Sequence, residues 1–333
     1  SMGAPQLGGI VRMLRFILRT MLAMEGIGAC LFAIRFIPDY GLLRGTWYSI
    51  FHAISAFCNA GFDLMGHWQP YSSMTRYADD PLVLGTVMAL IVLGGIGFFV
   101  WDDIAKNQWH FRNYTLQTKV VLTTTALLLI LPFLWFWLCE FVHWNGMSTG
   151  KQALSALFQT VCPRTAGFNN VDLNQLSGGS KLLTILLMLV GGSPSSTAGG
   201  IKTTTLAILL LALRAAFTSD HQVHCFGRRI PAQVITRTLV VSVLYGTLFL
   251  AASMALIQLE PVTMEEALFE CASAIGTVGL TLGITPELGA VSKGILILLM
   301  YLGRVGGLTL VYAVSGTGKR LHYTLPEESI GIG

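Results

Sequence analysis

The stretch Phe158-Gln159-Thr160-Val161-Cys162-Pro163-Arg164-Thr165-Ala166-Gly167-Phe168-Asn169 decides the fold. An amphipathic segment, residues 151–161, leads into it, and long apolar runs flank it on both sides. It is too short and too polar to cross a bilayer. Such a segment is tolerated at membrane depth only where protein buries it or where it lines water, so it reads as a re-entrant half-helix and turn. The pattern occurs twice more. Residues 51–63 read Phe-His-Ala-Ile-Ser-Ala-Phe-Cys-Asn-Ala-Gly-Phe-Asp, and residues 269–281 read Phe-Glu-Cys-Ala-Ser-Ala-Ile-Gly-Thr-Val-Gly-Leu-Thr.

The three turns align on Gly61, Gly167 and Gly279. Two positions earlier stand Asn59, Thr165 and Thr277; one position later stand Phe62, Phe168 and Leu280; ten positions earlier stand Phe51, Leu157 and Phe269. The register extends past the turn. Gly191 lies 24 residues after Gly167, Gly303 lies 24 after Gly279, and Gly94 lies 33 after Gly61, across a longer outer loop. Repetition of this kind identifies the building unit as span, half-helix, turn, span. The units occupy residues 11–105, 118–216 and 232–315. Residues 1–10 are a polar leader whose Ser1-Met2 reads as an expression remnant, and residues 316–333 are a polar tail. Within them the spans run at about 12–37, 82–101, 120–142, 181–216, 234–259 and 291–314, six crossings in all, with Pro38-Asp39-Tyr40-Gly41 breaking the first.

Composition places the chain in the membrane class. Hydrophobic residues make up 53%, charged residues only 11%, and mean hydropathy is +0.65, against roughly 25% charged residues in soluble domains. The net charge of +4 is spread between apolar runs, which excludes a nucleic-acid-binding surface. The six cysteines form no C-x-x-C pair and read as buried small hydrophobes. His221, His224 and Cys225 make a short cluster without a second ligand pair, which reads as a cytoplasmic loop rather than a metal site.

Lys and Arg counts orient the chain. One set of connections holds Arg12, Arg15, Arg19, Lys106, Arg112, Lys119, Arg214, Arg228, Arg229, Arg237, Lys319 and Arg320. The other holds Arg35, Arg44, Arg76, Lys151, Lys181 and Lys293. The first set is therefore cytoplasmic and the turns face outside. Asp39, Asp63, Asp79, Asp80, Asp172, Glu260, Glu265, Glu266 and Glu287 share the outer side, either as an acidic vestibule that concentrates cations or as ordinary solvated loops.

A half-helix whose C-terminal end points into the membrane places its negative dipole end there. A glycine after it permits φ > 0, so that consecutive carbonyls can point one way. A ring of such carbonyls replaces the water shell of a monovalent cation. The expected carbonyl ligands of such a cation are Asn59, Ala60, Thr165, Ala166, Thr277 and Val278. Cys58, Gly61, Arg164, Gly167, Gly276 and Gly279 complete the three turns.

The segments Asn59-Ala60-Gly61-Phe62, Thr165-Ala166-Gly167-Phe168 and Thr277-Val278-Gly279-Leu280 resemble the filters of the Trk/Ktr/HKT superfamily of potassium transporters. The resemblance is nearest to the membrane subunit of the bacterial Ktr system and covers nearly the whole chain. It implies an all-α polytopic membrane protein, pseudo-fourfold around a central pore, multi-pass in a bacterial plasma membrane. It implies that the cation is K+, or alternatively Na+. It also implies a homodimer docked on a cytoplasmic ring of nucleotide-binding regulatory subunits, and no organic cofactor. The family has four repeats; this chain matches the second, third and fourth. It is expected to be a fragment or truncated form that cannot close such a pore alone. Serine in place of the first filter glycine accompanies sodium transport in the family, and the three glycines here favour potassium.

A second site interrupts the fourth span at Gly191-Gly192-Ser193-Pro194-Ser195-Ser196-Thr197-Ala198-Gly199-Gly200. Small residues there permit a hinge and expose backbone to a water path; a plain kink is the alternative. The resemblance implies an intramembrane gating loop. Gly200-Ile201-Lys202-Thr203 fails the Walker pattern because Ile201 intervenes, and Gly192-Ser193-Pro194-Ser195 is not a nucleophile elbow. Lys202 and Arg304 are intramembrane cations and functional candidates by default. The family's equivalent of Arg304 is an electrostatic barrier below the filter, and satisfying loop carbonyls is the structural alternative. Arg164, beside a cation site, is expected to point away from the axis and to pair with Glu270. A membrane enzyme would need partners for His52 near the first turn; a non-conducting scaffold is the third class.

Overall fold

The computed structural model describes residues 7–306 except 109, 145 and 219–221. The tail, His221 and the last span beyond residue 306 lie outside the described residues. The fold is helical throughout apart from one short hairpin, β1 (His224–Cys225) and β2 (Arg228–Arg229).

The first unit is α1 (Leu7–Tyr40), half-helix α2 (Leu42–Phe57), α3 (Pro81–Ile96) and α4 (Phe98–Asn107). The second is α5 (Leu116–Trp135), half-helix α6 (Thr149–Val161), α7 (Gly178–Leu189) and α8 (Thr203–Phe217); the third is α9 (Ala232–Leu259), half-helix α10 (Met264–Gly276) and α11 (Ala290–Val305). The second and third half-helices lean on the inner span of the unit before them. α6 packs on α3 and α10 packs on α7. The turns follow the same rule. Phe168 is buried in the hydrophobic cluster of the first unit, with Phe57, Val83 and Val87. Leu280 is buried with Phe136, Ile185 and Met188 of the second. Phe62, the equivalent residue of the first turn, is 70% exposed.

The repeat register has a physical basis in two glycines. A Cβ on Gly94 would lie 1.9 Å from the Phe57 carbonyl oxygen, and one on Gly303 would lie 2.0 Å from that of Ile275. Phe57 and Ile275 each stand four residues before the turn glycine of their unit. The inner span thus touches the half-helix backbone at one equivalent point in both units, and only glycine allows that approach.

Three expectations need correction, on Pro38, on the span at about 82–101 and on the burial of the cysteines. Pro38 does not break α1, which runs on to Tyr40; the reversal is at Gly41, with φ 79°. The span expected at about 82–101 ends at Ile96 and turns by 90° into α4. Gly97 makes that elbow at φ 98°, where a Cβ would lie 2.6 Å from the Pro194 carbonyl. Of the six expected crossings, three helices among the described residues are long and apolar enough alone, or four with the bent pair counted as one. The fourth expected span is broken as anticipated, and α11 leaves the described region. The cysteines are all free, but only Cys162 and Cys271 are buried; Cys30 and Cys139 are exposed.

Several outer acids are engaged in structure. Asp80 pairs with Arg35, Asp79 with Lys151, and Glu265 with Lys181, each bridge tying one segment of the outer face to another. His52 is fully buried. Its Nε2 accepts from the Leu64 amide at 3.3 Å, so Nδ1 carries the proton donated to the Tyr48 carbonyl at 2.7 Å. Both ring nitrogens of His52 are engaged by backbone.

Gly94→Ala and Gly303→Ala are expected to lower the melting temperature of the detergent-solubilised protein markedly. Gly85→Ala and Gly294→Ala, where a Cβ meets nothing within 4 Å, are expected to leave it unchanged or raise it, by up to about 1 kcal/mol of helix propensity.

Candidate functional site

The C-terminal ends of α2, α6 and α10 converge, and the three turns that follow them lie side by side. A Cβ on Gly61 would sit 2.2 Å from the Ala166 carbonyl oxygen, and one on Gly167 would sit 2.1 Å from that of Val278. The first turn therefore abuts the second, and the second abuts the third, backbone on backbone. A Cβ on Gly279 meets nothing within 4 Å among the described residues. Phe62 is exposed as well, so among the described residues no other turn packs on Gly279 or on Phe62.

Each turn has the same backbone conformation. Gly61, Gly167 and Gly279 have φ of 70°, 80° and 96°. Two residues earlier, Asn59, Thr165 and Thr277 also have positive φ, at 49°, 69° and 53°. For L-residues that region costs about 1–2 kcal/mol, and for a β-branched residue it is an outlier. The sequence reading anticipated the glycines but not these three. No local signal marks threonine as left-handed.

The amides of the turns are folded back into the helix ends. Ala60 N–H donates to Ser55 O at 2.9 Å, Gly167 N–H to Cys162 O at 3.1 Å, and Val278 N–H to Ser273 O at 2.8 Å. These are reach-back bonds of the kind that close helix C-termini. The carbonyls of Asn59, Ala60, Thr165, Ala166, Thr277 and Val278 accept no hydrogen bond among the described residues. Most buried carbonyls are paired, so six unpaired ones in three equivalent turns form a set of acceptors held ready. Asn59 Oδ1 and Thr165 Oγ1 are likewise buried without a partner.

The broken segment lies directly against these turns. Its neck is closed where Gly191 N–H donates to Ile201 O at 2.8 Å and Thr203 N–H to Gly192 O at 3.0 Å. Between those points the chain crosses to the α3–α4 elbow. Ser193 N–H donates to Gly95 O at 2.9 Å, Thr197 N–H to Gly94 O at 3.3 Å, and Phe98 N–H to Ser195 O at 3.0 Å. Ser193 Oγ pairs with Thr203 Oγ1 at 2.9 Å and Ser196 Oγ donates to Ser193 O at 2.7 Å. Ser195 and Gly200 supply the left-handed corners, at φ 60° and 63°.

The loop touches all three turns. Asn59 Nδ2 donates to Thr197 Oγ1 at 3.0 Å, and that hydroxyl donates to Phe57 O at 3.0 Å. Gly191 faces the Thr165 methyl and Gly199 faces the Thr277 hydroxyl, at 2.9 and 2.0 Å from where a Cβ would stand. Gly276 in turn packs against the Met188 carbonyl of α7. Two cations hold the loop. Arg304 Nη1 donates to Thr197 O at 2.8 Å, and Lys202 Nζ donates to Ala198 O at 2.7 Å.

The expected Arg164–Glu270 pair does not form. Arg164 is buried and reaches only the Gly191 carbonyl, through Nη2 at 3.5 Å, with Nε unpartnered. Its side chain lines a small cavity with Ile91, Gly95, Thr125 and Gly192, behind the turns. Glu270 instead accepts from the Thr281 and Thr285 hydroxyls. The third-turn hydroxyls occupy the acid locally, so no carboxylate is left for the arginine. One residue was missed outright. Glu25, in the apolar run of α1, is 8% exposed, and the Cys58 thiol lies 3.9 Å from its Oε1. A lone acid in a span is a functional candidate by default, so the signal was available.

Residues 3–318 match the family described as "TrkH: Cation transport protein". The chain belongs to that family. Its members are membrane ion transporters, not enzymes, and this chain is a multi-pass member. It is 39% identical to the potassium/sodium uptake protein NtpJ of Enterococcus hirae, with all of this chain and 74% of that protein covered. It is 36% identical to the Ktr system potassium uptake protein B of Vibrio alginolyticus, covering all of this chain and 73% of the relative. The crystal structure of the potassium transporter TrkH from Vibrio parahaemolyticus superposes with a TM-score of 0.77 at 20% identity. That match covers 94% of this chain and 66% of the TrkH chain, and it supports the fold.

Asn59→Ala is expected to remove one of the two bonds of the Thr197 hydroxyl, leaving that to the Phe57 carbonyl. Hydrogen exchange across residues 191–202 should rise, with a stability loss of about 1 kcal/mol, the net worth of one hydrogen bond.

Proposed function

We propose that the three turns are three sides of a cation filter selective for K+, and that the loop at residues 191–202 is the gate beneath it. The observation that carries this is the set of six unpaired carbonyls, Asn59, Ala60, Thr165, Ala166, Thr277 and Val278, on residues whose own amides all donate backward. A dehydrated monovalent cation needs oxygen ligands from several directions, and carbonyls on abutting turns supply them. Asn59 Oδ1 and Thr165 Oγ1 add two more unpaired acceptors at the turns. A fourth turn of the same kind fits the open side between Gly279 and Phe62 and completes the ring.

In the closed arrangement the loop and Arg304 lie below the turns. Arg304 acts twice: its charge repels a cation leaving the filter, and its bond to Thr197 O holds the loop in place. Lys202 adds a second hold at Ala198. Arg164 anchors the base of the loop from behind. The Ktr system name of the relatives supports work alongside further subunits, and the reading extends this to a homodimer on a cytoplasmic ring of nucleotide-binding subunits. Sodium as an alternative or second cargo is favoured by the name of the Enterococcus hirae relative.

Rubidium and sodium uptake by the full-length transporter in proteoliposomes tests this reading. Rubidium uptake should exceed sodium uptake, and Gly167→Ser should abolish the preference. Equal uptake of both cations would overturn potassium selectivity. Arg304→Gln should raise rubidium flux several-fold; an unchanged or lower flux would overturn its role as a barrier.

A further inference from the structure

Directly below the loop, the start of α8 and the facing part of α9 enclose a cavity of about 370 Å³. Lys202 comes to it from the loop and Arg237 from α9, so two basic side chains on separate elements share one space. Thr204 and Thr238 bring hydroxyls, and none of the lining residues is acidic. Ile208 and Val234 form part of an otherwise apolar wall. The combination asks for a ligand with an anionic end and an apolar body.

Position narrows the choice. The connection from α8 to α9 carries Arg228 and Arg229, with Arg214 in the last turn of α8, which makes it the cytoplasmic side by the Lys and Arg rule. Arg237 is the sixth residue of α9, about 7.5 Å along the helix from its start, the depth of an inner-leaflet headgroup. Basic pockets between membrane helices on that side suit anionic lipid headgroups. We propose that this cavity binds the phosphate of an anionic inner-leaflet phospholipid between Lys202 and Arg237, with an acyl chain along Ile208 and Val234.

The site connects to the loop through one atom. Lys202 Nζ now donates to the neutral Ala198 carbonyl at 2.7 Å. A phosphate oxygen is a charge-assisted acceptor and the stronger partner. Lipid occupancy draws Lys202 away from Ala198 and removes one of the cationic holds on the loop. Bound lipid therefore favours the open loop and higher flux. This second step rests on the loop being a gate; the binding step does not.

The test uses the full-length transporter in phosphatidylcholine vesicles with and without phosphatidylglycerol, and native mass spectrometry to count bound phosphatidylglycerol. Wild type should retain the lipid, and Arg237→Gln should bind it about fivefold more weakly. Thr238→Val, which keeps all charges, should show a smaller loss. Phosphatidylglycerol should stimulate rubidium flux in wild type and less so in Arg237→Gln, while flux in pure phosphatidylcholine stays equal for the two. Inorganic phosphate added to phosphatidylcholine vesicles should have no effect; stimulation by it would replace the lipid with a free anion and overturn the proposal. Equal lipid binding by wild type and Arg237→Gln would overturn the site. Weaker binding by the variant with identical lipid stimulation of flux would overturn the link to the loop.

Discussion

The rest of the structure depends on the contact of one turn's glycine with the next turn's carbonyl. Gly61 lies against Ala166 O and Gly167 against Val278 O at separations that exclude any side chain. Packing peptide on peptide brings the three helix ends into one small ring. The ring needs its amides turned away, or the close approach would put donors beside acceptors and consume the carbonyls. The reach-back bonds to Ser55, Cys162 and Ser273 accomplish that. They in turn require left-handed backbone at Asn59, Thr165 and Thr277. Close approach, amide reversal and backbone strain are thus one arrangement rather than three features.

The interrupted span follows from the same geometry. A straight helix through residues 190–202 would place side chains where Thr165, Thr277 and Asn59 already stand. The chain instead leaves helical form at Val190 and re-enters at Thr203, with a parallel bridge between Val190 and Ile201 closing the neck. The extra residues need room, and the 90° elbow at Gly97 provides it. Loop and elbow share hydrogen bonds at Gly94, Gly95 and Phe98, so neither conformation is independent of the other. Movement of the loop would therefore be felt first at α4 and at Arg304, on opposite units.

Much of this was legible in the sequence because it rests on glycine and spacing. The register of Gly61, Gly167 and Gly279 gives the unit, and the same register places Gly94 and Gly303 at equivalent backbone contacts. The broken span shows in its small residues. What could not be read depends on contacts between units. Gly97 sits in an ordinary apolar run, and its bend exists because Pro194 of another unit occupies the inside of the elbow. Arg164 is aligned with Cys58 and Gly276, which suggests a role at the axis, but its length lets it reach behind the turn to Gly191. The expected pairing with Glu270 failed because Thr281 and Thr285, close in sequence to the third turn, claim that acid first.

The strain at Thr165 and Thr277 bears on why the turns are built from these residues. Glycine at either position would adopt φ > 0 without the cost of about 1–2 kcal/mol. The side chain must therefore contribute something that the backbone alone does not. At Thr277 the hydroxyl faces Gly199, and at Asn59 the amide holds Thr197, so two of the three side chains reach the loop through polar atoms. At Thr165 the methyl faces Gly191 and the hydroxyl is buried with no partner. An unpaired buried hydroxyl costs a further 1–3 kcal/mol or so. Strained backbone at all three turns, with unpaired buried side-chain oxygens at two of them, supports the filter proposed there, because such costs persist where the surrounding structure over-determines them.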